Sequence, residues 1–199
     1  SLNAQDWTWM HGSDATDAWG QYGTLGTPST SNVPGSRHTG AVWTDKSGNF
    51  WLFGGEGHAA SGTLGWLNDL WKFNTSTQWT WVNGSDQYNQ PGMYGAQGVP
   101  AAANRPGARF GAATWTDNAG NLWLFGGQGL AKGYAPGYLN DLWKYNIVSN
   151  EWTWVSGGDT LNGVPVFGTQ GTAAPQNAPG ARHYASSCTD AAGNLWLFG

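Results

Sequence analysis

The stretch Trp51-Leu52-Phe53-Gly54-Gly55 occurs again as Trp123-Leu124-Phe125-Gly126-Gly127 and starts a third time at Trp196. The same offset, 72 residues and then 73, relates three Trp-Thr-Trp segments, at residues 7–9, 79–81 and 152–154. Self-similarity at a constant period is the sequence signature of a repeat architecture. The chain is therefore predicted to consist of consecutive copies of one structural unit.

Turn residues divide each unit into four short predicted strands. In the first complete unit these strands cover residues 38–44, 49–54, 69–74 and 78–82. The residues from Asp45 to Gly48 suit a hairpin turn that needs a positive φ near its end. The 32 glycines and 15 tryptophans also suit a β protein with tight turns and large side chains packed between sheets. We expect an all-β chain without helices.

Paired glycines after an apolar strand, an aromatic strand around Trp71 and Trp143, and a terminal Trp at 79 and 152 together resemble the kelch repeat. The resemblance implies kelch-type β-propeller blades, each a four-stranded antiparallel sheet. It implies an incomplete arc of about three blades from a larger propeller, similar to the central propeller of galactose oxidase. The repeat differs from the kelch pattern in the length of its unit, which is 72 or 73 residues here, whereas a kelch unit usually has about 50. The surplus here lies in the connections between blades.

The predicted segments alternate between blades and long connections. Residues 1–33 hold the outer strand of a preceding blade, at residues 7–10, followed by a connection. The remaining segments are the blade 34–82, the connection 83–105, the blade 106–155, the connection 156–178 and the truncated first half of a third blade, 179–199. An open arc exposes apolar faces and strand edges. We therefore expect missing blades or other copies of the chain to complete it.

Charge and cysteine content exclude some classes of partner. The formal net charge is −4, with 8 basic and 12 acidic residues, which provides no basic surface for nucleic acid. The chain lacks a run of about 18 apolar residues, so no membrane insertion is expected. A single Cys cannot form an internal disulfide, and the avoidance of free thiols is typical of an exported protein. We expect an extracellular or cell-surface location.

An arginine begins the first strand of every unit, at Arg37, Arg109 and Arg182. This strand is expected to lie nearest the central channel, where an arc of guanidinium groups would bind carboxylates. By resemblance, arginines at this place contribute to the pocket of kelch domains that bind acidic peptides. The alternative is structural, with each Arg tied to a neighbouring backbone carbonyl or Asp.

Two histidines, His38 and His183, occupy equivalent positions whose middle counterpart is Phe110. A position that accepts an apolar ring is predicted to line the channel or to pack, and no His or Cys spacing resembles a zinc site. His38 and His183 are therefore kept as candidate ligand contacts and not as metal ligands.

Thirteen of the fifteen tryptophans fall on repeat positions, as residues that pack neighbouring blades must. Trp71 and Trp143 in particular are predicted to be deeply buried. Trp19 and Trp66 lie outside the repeat in predicted loops, so they are candidates for ligand binding.

An acidic residue recurs at the start of each long connection. The carboxylate oxygens of these acidic residues could bind calcium. The alternative is that the residues form Asx-turns, which let the chain leave a strand. The calcium candidates are Asp14, Asp17, Asp86 and Asp159. An aromatic residue further along each connection, at Tyr22, Tyr94 and Phe167, indicates that the connections are ordered.

Catalytic motifs do not emerge from the sequence. The copper ligands and cysteine-modified tyrosine of galactose oxidase have no counterpart here. Cys188 occupies the position that Trp43 and Trp115 occupy in the other units. We therefore interpret it as a smaller buried residue in place of a tryptophan, and not as a reactive thiol. A nucleophile elbow, a phosphate loop and a His-Glu-x-x-His motif are also missing. We expect no catalytic residues and no cofactor in this segment.

The leading hypothesis is a binding or scaffold module that recognises a protein or carbohydrate ligand through its loops and the channel mouth. One alternative is a structural component of an extracellular layer, appendage or filament. A second is the propeller of a copper enzyme similar to galactose oxidase, with its catalytic residues outside this segment.

Overall fold

The structure is a computed structural model that describes residues 7–199, and every regular element in that range is a β-strand. The strands are β1 (Arg37–His38), β2 (Ala41–Thr44), β3 (Phe50–His58), β4 (Leu64–Phe73), β5 (Trp79–Asn83), β6 (Arg109–Phe110), β7 (Ala113–Thr116), β8 (Leu122–Leu130), β9 (Pro136–Asn146), β10 (Glu151–Ser156), β11 (Ser186–Thr189) and β12 (Leu195–Phe198). The expected all-β class is confirmed for the described residues. This range contains no helix that could span a membrane.

The strands form three antiparallel sheets in chain order. In the first sheet, β1 and β2 lie end to end along one edge of β3, and β4 and β5 follow in sequence. The second sheet repeats this arrangement with β6 to β10. The third sheet contains the hairpin β11–β12. Each of the first two sheets therefore has the four strand positions that the sequence predicts.

The observed strands differ in extent from the predicted ones. The first predicted strand is split into β1 and β2 because Thr39 lies between them with a φ of 54°. Its carbonyl oxygen accepts a hydrogen bond from the Gly111 N–H of the next unit at 3.1 Å. The second strand continues beyond Gly54 to the end of β3, through a bulge between Phe53 and Gly55. Glycines relieve the strain of such a bulge, so the pair marks a bend and not a strand end.

Residues 7–10 do not form the outer strand predicted for them, and the Trp7 side chain is exposed. The equivalent residues of the later units, in β5 and β10, pair with β4 and β9. Within residues 7–199 no strand pairs with this segment. Residues 1–6 of the same predicted segment lie outside the described residues. No sheet closes on itself in the described range.

Consecutive sheets pack face to face through large aromatic side chains. Trp51 lies 5.8 Å from Tyr145, and Phe53 lies 5.5 Å from Trp152, both measured between ring centroids. A Cβ on Gly54 would lie 2.8 Å from the Arg109 carbonyl oxygen, so only glycine lets the sheets approach this closely. The predicted deep burial of Trp71 and Trp143 is confirmed, since neither has any exposed surface.

Indole groups join each sheet to the next one. Trp43 Nε1 donates to the Trp123 carbonyl oxygen, and Trp115 Nε1 donates to the Trp196 carbonyl oxygen, each at 3.0 Å. The third unit has Cys188 at this position, and its side chain is exposed. The expectation that Cys188 is buried is therefore wrong, because burial of this position depends on a following sheet.

The first two long connections cover the outer edges of their sheets. Ser29 forms a β-bridge with Trp79 of β5, and Ala101 forms the equivalent bridge with Trp152 of β10. The Tyr22 hydroxyl donates to Asp69 Oδ2 at 2.6 Å, which anchors the first connection to its own sheet. These contacts support ordered first and second connections, and they cover edges at which another chain could pair. In the third connection Phe167 is 73% exposed, so it does not anchor that segment as Tyr22 and Tyr94 anchor theirs.

Candidate functional site

Two of the repeated arginines are buried in ion pairs. The Arg37 guanidinium donates to both carboxylate oxygens of Asp69, at 2.6 and 2.8 Å, and to the Gly54 carbonyl oxygen at 3.1 Å. Arg109 binds Asp141 in the same way, at 2.6 and 2.7 Å. The side chains of both pairs are almost completely buried. The two arginines are therefore structural ties.

The neighbouring carboxylate favours the charged form of each buried arginine. Burial favours the neutral form of Arg37, but the adjacent Asp69 carboxylate more than compensates and raises the pKa of Arg37. Burial, reinforced by the negative charge of Asp69, raises the pKa of the Tyr22 hydroxyl, which remains a neutral donor. The expectation that Arg37 and Arg109 bind a ligand carboxylate is corrected, because each guanidinium already binds an internal one. Arg182 donates to the Gly199 carbonyl oxygen.

A line of side chains crosses the ends of the sheets beyond the glycine pairs. In the first sheet His38 lies opposite Glu56, and Glu56 lies opposite Trp66. In the second sheet Phe110 lies opposite Gln128, and Gln128 lies opposite Tyr138. Directly opposed residues of antiparallel strands share one face. We call the resulting line the ring row, and its members are His38, Glu56, Trp66, Phe110, Gln128, Tyr138 and His183.

Aromatic contacts connect the ring row from one sheet to the next. The Trp66 ring centroid lies 5.6 Å from that of Phe110, and the Tyr138 centroid lies 5.0 Å from that of His183. Tyr184 flanks the row, with its ring 6.1 Å from Phe110 and 4.7 Å from His183. The row therefore runs from the first sheet through the second to His183, which precedes the third sheet.

Much of the ring row is accessible to solvent. Tyr138 is 42% exposed and the flanking Tyr184 is 59% exposed, while the Trp66 and Phe110 rings are half-buried. Tyr184 has a φ of 55°, in the left-handed region that non-glycine residues seldom adopt. Its N–H donates to the Gly111 carbonyl oxygen at 2.8 Å, so a contact between sheets holds this ring in position.

A cleft of about 440 Å³ adjoins the row at Glu56 and Trp66. Residues of both neighbouring units line it, including Asn89, Tyr134 and Pro136. The Asn89 side-chain oxygen accepts a hydrogen bond from the Trp66 N–H at 2.9 Å, which fixes the wall of the cleft. The cleft provides one deeper position along an otherwise shallow surface.

The polar groups of the row suit hydrogen bonding more than catalysis. His38 Nε2 lies 3.4 Å from Glu56 Oε2, and His38 Nδ1 lies 3.2 Å from the Thr39 hydroxyl oxygen. This order superficially matches a nucleophile, a base and an orienting acid. However, the Thr39 hydroxyl donates its hydrogen to the His38 carbonyl oxygen at 2.8 Å. His38 is therefore not placed to receive that proton, and Thr39 is not activated.

Another cavity, of about 400 Å³, lies between the second and third sheets and includes Phe125 and Leu197 in its lining. At the preceding interface, the equivalent residue Phe53 packs against Trp152 of the fourth strand. Within residues 7–199 the third sheet comprises β11 and β12, so no ring from a fourth strand position packs there. The cavity lies apart from the ring row, because no member of the row lines it.

The remaining predicted site residues lie apart from the ring row. Trp19 packs over Gly62, where a Cβ would come within 2.1 Å of its ring. The carboxylates proposed for calcium do not gather, because residues 7–199 contain no group of three or more His, Cys, Asp or Glu side chains suited to a metal. Asp17 has a φ of 53°, in the left-handed region that aspartate tolerates, and its Oδ1 lies 3.5 Å from His58 Nε2. Asp86 accepts a backbone hydrogen bond from Ala60 at 3.1 Å.

Three of the predicted ligand residues, His38, Trp66 and His183, do fall in the row. Sequence reasoning missed Tyr138 because it treated Trp66 as lying outside the repeat. Tyr138 stands 72 residues after Trp66, so the position repeats as an aromatic ring although not as Trp. Gln128 follows Glu56 at the same offset, as a second hydrogen-bonding side chain.

Comparison with known proteins provides little further information. No family model matches the chain, and no curated protein matches it. A solved structure described as "Structure of YjhT" is similar with a TM-score of 0.46 and 15% sequence identity. The similar region covers 64% of this chain and 39% of that one, so this chain spans about two fifths of the length of that protein. A likeness at this level identifies neither a family nor a function.

Proposed function

We propose that the repeat units are blades of a kelch-type β-propeller and that the chain is a binding module. The antiparallel order of four strand positions in the first two units supports blades. The repeated packing of one sheet on the next supports their arrangement around a common axis. The Arg–Asp pair inside each complete unit ties its first and third strands together.

The ring row carries the binding function. Aromatic rings that serve only packing are expected to be buried, whereas Tyr138 and Tyr184 remain about half exposed beside hydrogen-bonding groups. Strands and contacts between sheets hold these rings in place before a ligand arrives, which lowers the entropic cost of binding. The ligand is a protein or a glycan that lies along the row. Neither a cofactor nor a catalytic step is part of this proposal.

An extracellular or cell-surface location forms part of the same proposal. The scarcity of cysteine, one residue in 199, is the feature that supports it, and that residue, Cys188, is unpaired and exposed. A protein in that environment meets glycans and extended protein segments.

Binding measurements on matched tryptophan variants test this function. The probes are two panels, one of neutral oligosaccharides and one of extended synthetic peptides, titrated into the protein by calorimetry. We expect at least one probe to bind, and Trp66→Ala to weaken its affinity about tenfold, since a lost stacking contact costs roughly 1–1.5 kcal/mol. Trp19→Ala is the control, because Trp19 is exposed but lies outside the row. Failure of every probe, or equal losses for the two variants, overturns the proposal.

A structural role in an extracellular layer or filament is a second candidate function. The exposed apolar side chains of the third sheet, Trp196 and Phe198, favour it. Self-association of the purified chain, and not ligand binding, is the measurement that tests this role.

A further inference from the structure

We infer that the ring row binds a neutral glycan chain, a conclusion that rests on the proposed binding function. The glycan lies across the sheets, with its sugar rings against the exposed aromatic faces and its hydroxyl groups on the polar side chains between them. The cleft beside Glu56 and Trp66 holds one sugar unit more deeply than the others.

The side chains along the row alternate between aromatic rings and hydrogen-bonding groups, as the apolar face and the hydroxyl rim of a sugar require. Each complete sheet presents a ring, a hydrogen-bonding group and a second ring, which are His38, Glu56 and Trp66 in the first sheet. The C–H face of a pyranose packs on an aromatic face, while its rim of hydroxyls requires donors and acceptors. The carboxylate of Glu56 and the amide of Gln128 lie between rings, where that rim would pass.

The charge of the row selects a neutral ligand. Glu56 is the acidic member of the row, and the row contains no Lys or Arg. The neighbouring cations Arg37 and Arg109 are buried in ion pairs with internal carboxylates, while Arg182, next to His183, donates to the Gly199 carbonyl oxygen. A glycan with sulfate or uronate groups, or an acidic peptide, would meet repulsion at Glu56, and the two complete sheets offer no free guanidinium to offset it.

Backbone contacts argue against an extended peptide. Peptides often bind by adding a strand to a free sheet edge. In the first two sheets the outer edges are covered by the long connections, through the bridges of Ser29 with Trp79 and of Ala101 with Trp152. The cleft that adjoins the row carries Glu56 and Asn89 in its lining, so it is not a purely apolar pocket for an anchoring side chain.

The test compares neutral oligosaccharides of increasing length in calorimetric titrations of the full chain. β-linked glucose and xylose oligomers serve as probes, and we expect affinity to rise with length until the oligomer spans the row. Tyr138→Ala is expected to weaken binding about tenfold, whereas Tyr138→Phe, which retains the ring, is expected to leave it nearly unchanged. High salt should not alter the affinity, because the ligand carries no charge. Trp19→Ala controls for loss of an exposed aromatic residue, and thermal unfolding checks that each variant folds.

The outcomes separate this inference from the broader function. Peptide binding that depends on Trp66 and Tyr138, without any oligosaccharide binding, overturns the glycan inference and leaves the binding module intact. Absence of binding by both panels overturns both. Oligosaccharide binding that Tyr138→Ala does not weaken overturns the assignment to the ring row.

Discussion

The carboxylate of Asp141 accepts four hydrogen bonds inside the second unit. Two come from the Arg109 guanidinium, one from the Tyr94 hydroxyl and one from the Trp143 indole. Asp69 has the same four kinds of donor in the first unit. A buried charge is tolerated only when its partners satisfy it completely. The repeated aspartate is therefore the residue on which the interior of each unit depends.

Neutralising that aspartate should destabilise the fold severely. We expect Asp141→Asn to lower the free energy of unfolding by about 3–5 kcal/mol, because it leaves Arg109 buried without a counter-charge. Denaturant-induced unfolding of the two proteins measures the difference. Lys132→Ala provides the control, since Lys132 and Asp159 form an exposed pair at 3.4 Å whose loss should cost less than about 1 kcal/mol. Similar effects of the two substitutions would contradict the structural role of the buried pair.

The hairpin that joins the first and second strand positions is the repeated element with the most regular hydrogen bonding. Asp45 accepts backbone hydrogen bonds from Ser47 and Asn49, and side-chain hydrogen bonds from Asn49 and Trp51. The turns that begin at residues 117 and 190 repeat all four. Gly48 supplies the positive φ predicted for the turn, at 78°.

These turns should make stability depend on acid pH. Burial opposes ionisation of Asp45, but hydrogen bonds from Asn49 and Trp51 outweigh it and lower the pKa of Asp45. Hydrogen bonds from Asn194 and Trp196 lower the pKa of Asp190 to about 2. A carboxyl with a depressed pKa stabilises the fold above its unfolded pKa of about 3.9, and this contribution is lost as pH falls through the folded value.

We therefore expect the free energy of unfolding to decrease as pH falls from about 4 to about 2. Asp45→Asn should reduce the steepness of that decrease, because the variant has one fewer carboxylate to protonate. Urea unfolding at a series of pH values measures both slopes. An identical pH dependence in the variant would show that the turn carboxylate does not contribute.

At the scale of the whole molecule, the two end sheets present apolar faces that are covered inside the chain. Phe198 of the third sheet is 83% exposed, whereas its equivalent Phe125 is 4% exposed. Phe50 of the first sheet is 37% exposed, whereas its equivalent Leu122 is fully buried. Where the first sheet packs on the second, a face like that of Phe198 meets a face like that of Phe50. The exposed faces at the two ends of the chain are therefore complementary, and two copies could associate head to tail.

We expect the 199-residue chain to self-associate through these faces. Phe198→Glu and Phe50→Glu each block one face, so each variant alone should be monomeric by sedimentation velocity. A mixture of the two should form dimers, because each variant retains the face that the other lacks. Val148→Glu, at an exposed turn position, should associate like the unmodified chain. A mixture that remained monomeric would contradict the head-to-tail arrangement.

The sequence alone determined the features that belong to the interior of one unit. The repeat spacing correctly predicted four antiparallel strand positions, the glycine-containing turn and the burial of Trp71 and Trp143. These features depend on contacts among residues of the same unit. Each copy of the repeat therefore contains the information for them, and comparison of the copies reveals it.

Tertiary structure decided the features that depend on neighbouring strands and sheets. The sequence left open whether Arg109 binds a ligand or forms a structural contact. Its ion pair with the Asp141 carboxylate, 32 residues away, determined that its role is structural. Cys188 occupies a position that is buried in the other units, but it is exposed because no further sheet packs against it within residues 7–199. The ring row likewise arises from cross-strand register and from contacts such as that of Trp66 with Phe110. Periodicity specifies which residues are equivalent, whereas the partners packed against each copy decide which of them are buried and which can bind.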